Sequence, residues 1–333
     1  MNNDVIHVGS VVAKRGTTCF GEIPIPDSYT AEIKPPPVVI VNGSNEGPVV
    51  YVGAGSHGDE LNSIEATRRV AVSLDARTVH GSVIFVPIHN KIGFENRNRL
   101  TPADGKDLGK CFPGNLNGTA TEVLAQVIFH EAVIKSNYVL DLHTSTRGGW
   151  NLSHSDIAPY TREASVKAQE IATSFGVKAI VKLEPPMAGQ HLGESMGWNL
   201  DNSLFAQASL RGIPSVVIEF GEGGRLEPDQ VEVGVGGIMN VLASLGVVEN
   251  EVAKLPPPFV AREAIAIRCK KEGILYMAVR PGELVRNGQL VARLVSFPDQ
   301  VEEIHSISNG IVIRVATEGL LMPNDRVVVV GVQ

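Results

Sequence analysis

Cysteine is scarce in this chain. There are three in 333 residues, Cys19, Cys111 and Cys269, far apart and with no C-x-x-C pair. That excludes a disulfide framework and a thiolate zinc site, and makes a reducing compartment the expectation. Clusters of Lys and Arg are missing too. The 29 basic residues face 36 acidic ones, for a net charge of −7. Phosphate backbones are bound by clustered cations, so nucleic acid is not an expected partner. No apolar run reaches bilayer-spanning length, so no membrane contact is expected. Met1-Asn2-Asn3-Asp4 has neither the basic nor the apolar stretch of a signal peptide, so the expected location is the cytoplasm. There is no low-complexity tract and no solenoid-type repeat. A chain that is 43% hydrophobic and 20% charged is not disordered, and at this length it folds without staples.

What is present alternates. Short apolar runs at 49–52, 83–86, 138–140, 177–181 and 215–218 read as buried strands. Between them lie helical spacings. Leu61, Ile64, Ala71 and Leu74 share one face; Ala164, Ala168, Ile171 and Phe175 share another, stopped by Gly176. Thr119 and Glu122 fit a capping box opening a helix to about Lys135. Val231, Val235, Ile238, Leu242 and Leu245 mark a last helix before Gly246. This is the rhythm of an α/β fold with a mostly parallel sheet. Two proline triplets, at 35–37 and 256–258, are poor places for regular structure. After the second the rhythm changes to short β runs separated by turns at Pro281-Gly282, Asn287-Gly288, Asn309-Gly310 and Pro323-Asn324. A domain division at 1–255 and 259–333 is therefore expected, the second part being a small all-β module.

The strand ends carry the chemistry. Gly53-Ala54-Gly55-Ser56-His57-Gly58-Asp59-Glu60 contains a formal dinucleotide fingerprint. Asp59 and Glu60 would stand where a pyrophosphate must sit, which argues against that reading. His57-x-x-Glu60 suits a metal, since imidazole and carboxylate at a strand-to-helix turn can converge on one Zn²⁺. The spacing alone is common, and His191-x-x-Glu194 repeats it in a loop. His143, at the end of the run from Tyr138, supplies a third ligand, with Asp141 on the same face to orient one from behind. His89 and Asn90 follow the strand at Val83, and Glu219 ends the strand at Ser215. Ligands of an open parallel sheet gather at the carboxyl ends of its strands. Glu219 stands where a general base would serve a zinc-activated water. Gly193-Glu194-Ser195-Met196-Gly197 matches a serine nucleophile elbow, but the segment leading to it is loop-like rather than a strand.

Taken in order, His57-x-x-Glu60, Asp-Leu-His143-Thr and Ile-Glu219-Phe-Gly resemble the succinylglutamate desuccinylase/aspartoacylase family, part of the wider zinc carboxypeptidase fold group, over about residues 40–248. The stretch from Arg99 to Gly114, ending Phe-Pro-Gly, strengthens the resemblance. It implies an α/β, zinc-carboxypeptidase-like sheet, mixed but mostly parallel, flanked by helices. It implies one zinc per chain on His57, Glu60 and His143, Glu219 as general base, and Arg99 polarising the scissile carbonyl. Length and the added β module look most like the bacterial branch that includes N-acetyl-diaminobutyrate deacetylase. The tail from Pro281 resembles a biotinyl/lipoyl barrel-sandwich, but Gln300 stands where a carrier lysine would be.

One position departs from the family pattern. Gly109-Lys110 replaces an Asn-Arg pair whose arginine grips a substrate carboxylate. Lys is a point charge and not an equivalent of that fork. Lys110, Asn90 and Arg97 are the expected substrate contacts, with Lys91 nearby. The expected activity is a zinc-dependent deacylase acting on a small N-acyl amino acid. A carboxypeptidase or esterase on the same site, or a non-catalytic metal-binding relative, are the alternatives. The sequence is compatible with a homo-oligomer.

Overall fold

The computed structural model describes residues 4–194 and 198–333. The N-terminal part opens with strands β1 (Val5–Val8), β2 (Val11–Lys14), β3 (Thr17–Glu22) and β4 (Pro37–Asn42). The central part runs β5 (Asn45–Ala54), α1 (Leu61–Ser73), β6 (His80–Val86), α2 (Lys91–Glu95), α3 (Ala120–Glu131), β7 (Tyr138–His143), β8 (Gly149–Ile157), α4 (Arg162–Phe175), β9 (Ala179–Lys182), α5 (Leu204–Leu210), β10 (Ser215–Glu222) and α6 (Pro228–Ser244). Beyond it come β11 (Phe259–Ala261), β12 (Glu263–Arg268), β13 (Gly273–Met277), β14 (Leu284–Val285), β15 (Leu290–Ser296), β16 (Gln300–His305), β17 (Gly310–Ala316), β18 (Leu320–Leu321) and β19 (Arg326–Val332). No described helix is long and apolar enough to cross a membrane.

The centre of the sheet is parallel, in the order β6, β5, β7, β10. Antiparallel strands extend it on both sides, with β4 and β3 beyond β6 and β8 beyond β10. Strand residues alternate between two apolar layers, as the period of two requires. Val50, Val52, Leu140 and Leu142 pack under α1, α4 and α6. Val49, Tyr51 and Val139 pack under α3 and α5. The fold is the expected mixed α/β sheet flanked by helices, with an antiparallel sheet of β16, β15, β13 and β18 near the C-terminus.

Local expectations hold where the signal is specific. Thr119 caps α3 as expected, its N–H donating to Glu122 Oε2 at 2.8 Å, and Gly176 ends α4 at φ 87°. Two features differ. Pro37 opens β4, a first position where a missing N–H is tolerated. Strand β8 carries no apolar run, because alternate residues Asn151, Ser153 and Ser155 leave a polar sequence in a central position.

The C-terminal strands also join the main sheet. Strand β17 pairs with β8 and with β19, and β19 with β12. Apolar residues of both parts mix in one core, including Val181, Phe205, Ala264, Ile313 and Val329.

Candidate metal centre and the cavity around it

The ends of β5 and β7, the turn after β5 and the interior of β10 build the site. Glu219 does not end its strand as expected, since β10 continues to Glu222 past an irregularity between Glu219 and Gly221. Strand β5 runs out through Gly55, whose φ is 69°, into the turn that carries His57 and Glu60. Gly58 lets that turn lie against the backbone of Gly93 and Phe94, since a Cβ there would stand 2.1 Å from either. Glu60 immediately precedes α1, where a helix N-terminus favours a carboxylate. His143 is the last residue of β7, and Glu219 lies beside it in register on β10.

His57, Glu60 and His143 each offer a ligand atom, all within 4.8 Å of one another, and all three residues are buried. Glu60 Oε1 lies 2.6 Å from His57 Nδ1, and Oε2 lies 3.0 Å from His143 Nδ1. The backbone N–H of Thr144 donates to Oε2 at 3.1 Å. The far nitrogens face carboxylates as well. His57 Nε2 is 2.8 Å from Asp107 Oδ1, and His143 Nε2 is 3.2 Å from Asp141 Oδ1. A carboxylate behind each imidazole fixes its orientation and raises its basicity. Asp107 is itself held by the backbone N–H of Gly109, at 2.9 Å.

The electrostatics call for a cation. Burial lowers the pKa of both histidines, but the facing carboxylates outweigh it and both are raised. Burial likewise raises Glu60, and the two histidines more than reverse that, holding it far below the usual range. Glu60, Asp107 and Asp141 thus surround two imidazoles, with Arg99 as the cation in contact, 3.2 Å from Glu60 and 3.5 Å from Asp107. A buried donor set of two histidines and one carboxylate fits a divalent ion.

The centre opens into a cavity of about 450 Å³, a size suited to a small molecule. Arg99, Lys110 and Glu219 are on its wall, with Trp198, Leu200 and Phe205 as an apolar side. Asn151 Nδ2 donates to Glu219 Oε2 at 2.9 Å. Burial pushes the Glu219 carboxyl up, and the nearby Glu60 adds to that while the histidines oppose it.

Two expected substrate contacts lie elsewhere. Asn90 is buried, accepts from the Gly93 N–H and donates to Thr101, so it shapes the start of α2. Arg97 is exposed and its carbonyl accepts from Arg147. Lys91 pairs with Glu22. Buried His89 is wedged between Tyr51 and Ser56, at 2.6 and 2.8 Å, and burial pushes its pKa down to about 4. It braces the turn before His57. His191 pairs with Asp201 in its loop, and residues 195–197 of the elbow-like motif lie outside the described residues.

Residues absent from the sequence reading also reach the cavity. Asp107 faces His57, Asp156 projects from β8, and Arg268, Arg314 and Arg326 come from the C-terminal strands.

Residues 46–245 match the family model described as the succinylglutamate desuccinylase/aspartoacylase catalytic domain. The chain belongs to that family. It is 31% identical, over 290 residues, to the N-alpha-acetyl-L-2,4-diaminobutyric acid deacetylase of Halomonas elongata, covering 83% of this chain and 78% of the relative. Among solved structures, the product-bound ectoine utilization protein EutE (DoeB) from Ruegeria pomeroyi superposes with a TM-score of 0.83 at 21% identity, covering all of both chains. A family protein from Rhodobacter sphaeroides gives 0.81 at 23% identity, covering 97% of this chain and 98% of that one. These structural likenesses speak to the fold of the family member described here.

Proposed function

We propose that the protein is a zinc-dependent deacylase that hydrolyses the amide bond of a small N-acyl amino acid. The observation that carries this reading is the register of Glu219 beside His143, with the three metal-ligand atoms within 4.8 Å of one another. The family and the deacetylase relative support the same reaction class.

His57, Glu60 and His143 would hold the zinc, and Asp107 and Asp141 would keep the two imidazoles oriented. A zinc ion there supplies Lewis acidity, lowering the pKa of a water toward neutrality and polarising the acyl carbonyl. Glu219 takes the proton of the attacking water, because its raised pKa makes it a better base than an exposed carboxylate. The same carboxyl then returns that proton to the nitrogen of the leaving amine. Arg99 turns its guanidinium toward the oxyanion that develops on the acyl oxygen. The apolar side of the cavity excludes bulk water, and the C-terminal strands narrow the entrance to small compounds.

The test is hydrolysis of a panel of N-acyl amino acids, dipeptides and esters by the zinc-loaded protein, with and without a chelator. Chelator-sensitive release of amine from the N-acyl amino acids is the expected result. Faster cleavage of dipeptides, or no turnover by protein of confirmed zinc content, would overturn the reading.

A further inference from the structure

The geometry points to a carboxylate-binding subsite built by Arg268, Arg314 and Arg326 of the C-terminal strands, which recognises a carboxylate of the substrate. This deepens the deacylase reading and rests on it for the name of the reaction.

Each arginine comes from a different strand, β12, β17 and β19, and all three reach the cavity that holds Glu219. Arg268 and Arg326 stand directly opposite each other in the antiparallel β12–β19 pair. Like charges so placed destabilise a sheet. Arg314 is only 8% exposed. Its Nε donates to Ser145 Oγ at 3.0 Å and its Nη2 to Thr146 Oγ1 at 3.3 Å, while its Nη1 is buried without a partner. Arg326 lies 4.8 Å over the Trp198 ring, and its Nε is also buried and unpartnered. Arg268 donates to the Asn324 carbonyl at 2.8 Å.

Among the described residues, none of the three guanidinium groups forms an ion pair with a carboxylate. Burial, Arg314, Arg268 and Arg99 push the pKa of Arg326 down to about 10, with Glu219 opposing them. Glu219, Glu222 and Glu318 lie near Arg314 but none of them pairs with the three guanidinium groups, so gathered cations with two unused buried donors still favour an added anion. A carboxylate is the matching partner, since the planar guanidinium presents parallel donors to its two oxygens. This also accounts for Lys110. It is exposed and offers one point charge, so the recognition that an arginine at that position would provide is supplied from the other part of the chain.

The carboxylate can belong to the amine half or to the acyl half of the substrate, and the experiment separates them. Binding to the full-length, metal-free protein is measured by calorimetry with three probes. N-acetyl-L-2,4-diaminobutyrate carries its carboxylate on the amine side, its carboxamide carries none, and N-succinyl-butylamine carries one on the acyl side. At least one of the two acids is expected to bind tenfold or more tighter than the carboxamide. Arg326→Gln and Arg268→Gln are each expected to reduce that preference to within about threefold. In the zinc-loaded enzyme the loss should appear mainly in KM for the preferred acid. Arg268 is exposed and faces Arg326 across the sheet, so Arg268→Gln is expected to keep or raise the melting temperature.

Equal binding of acids and carboxamide, a preference that survives both variants, or no binding of any probe would overturn the subsite. Preference for an acid without turnover by the zinc-loaded protein would overturn the deacylase reading and leave the subsite standing. Equal turnover of acid and carboxamide would do the reverse.

Discussion

Glu219 combines two properties that a general base needs, a raised pKa and contact with the cavity beside His143. Glu219→Gln keeps the size and removes the proton acceptor. Turnover is expected to fall by about 10²–10⁴, with zinc content by elemental analysis unchanged. The sign of the pH dependence follows from the raised pKa. The carboxyl takes up a proton as pH falls through its pKa, and the base is then lost. The acid limb of kcat/KM should therefore lie at a higher pH than an exposed glutamate would give, which a pH–rate profile reads. Asp156 shows the cost of the same kind of burial. One of its oxygens is buried without a partner, and burial raises its carboxyl. The native state then holds the proton more tightly than the unfolded chain, so this contributes stability at acid pH that is lost as pH rises through the native pKa. Asp156→Asn removes the titration. The difference in urea midpoint between variant and wild type should move in the variant's favour from pH 4 to pH 7. At this scale the candidate metal ligands and Glu219 are legible in the sequence, because His143 and Glu219 directly follow apolar runs while His57 and Glu60 share a strand-to-helix turn at ligand spacing. Asp107 and the three arginines are not. Asp107 lies in a loop and the arginines lie in or beside the apolar runs of β12, β17 and β19, so nothing local sets them apart, and what gives them meaning is proximity to cavity residues distant in the chain.

At the scale of elements, the site depends on how closely the turn after β5 approaches the start of α2. Gly58 permits that approach. Gly58→Ala would force its Cβ into the Gly93 and Phe94 backbone, which sits 2.1 Å away and cannot yield as a flexible side chain would. The turn must shift, and His57 and Glu60 with it. Zinc affinity, measured by competition with a chromogenic chelator, is expected to fall at least tenfold. Gly236→Ala on α6 is the control, since nothing lies within 4 Å of the added methyl. It should leave zinc binding intact and gain up to about 1 kcal/mol from helix propensity. The elements also separate what patterning can and cannot give. Strands β5, β6, β7 and β10 are buried on both faces and read as apolar runs. Strand β8 is equally central but lines the cavity with Asn151 and Asp156. Its function removed the signal by which a buried strand is recognised.

For the whole molecule, zinc would link the site to global stability, because a ligand that binds only the folded state stabilises it by mass action. Zinc at about a thousand times its dissociation constant adds ~4 kcal/mol, or roughly 5 °C in a chain of this size. Scanning calorimetry of chelated and zinc-loaded protein reads that difference, and His143→Ala should abolish it. A boundary near residue 255, expected from the sequence, would bear on stability through the sheet. The turn signals after Pro258 mark a change of rhythm, yet a change of rhythm does not say with which strand the next one pairs. Here β17 binds the edge of β8 through Trp150 and Asn151, and Ile311, Ile313 and Val329 cover Val181 and Phe205. A chain ended at residue 255 would expose that edge and that apolar surface together, the combination that drives strand-to-strand association. It is expected to aggregate, or to melt well below the full chain, when size-exclusion chromatography and thermal unfolding are compared. A monodisperse fragment with the full-length melting temperature would show that the C-terminal strands add only the arginine wall. Aggregation would mean that the strands lining the cavity also close the sheet against self-association.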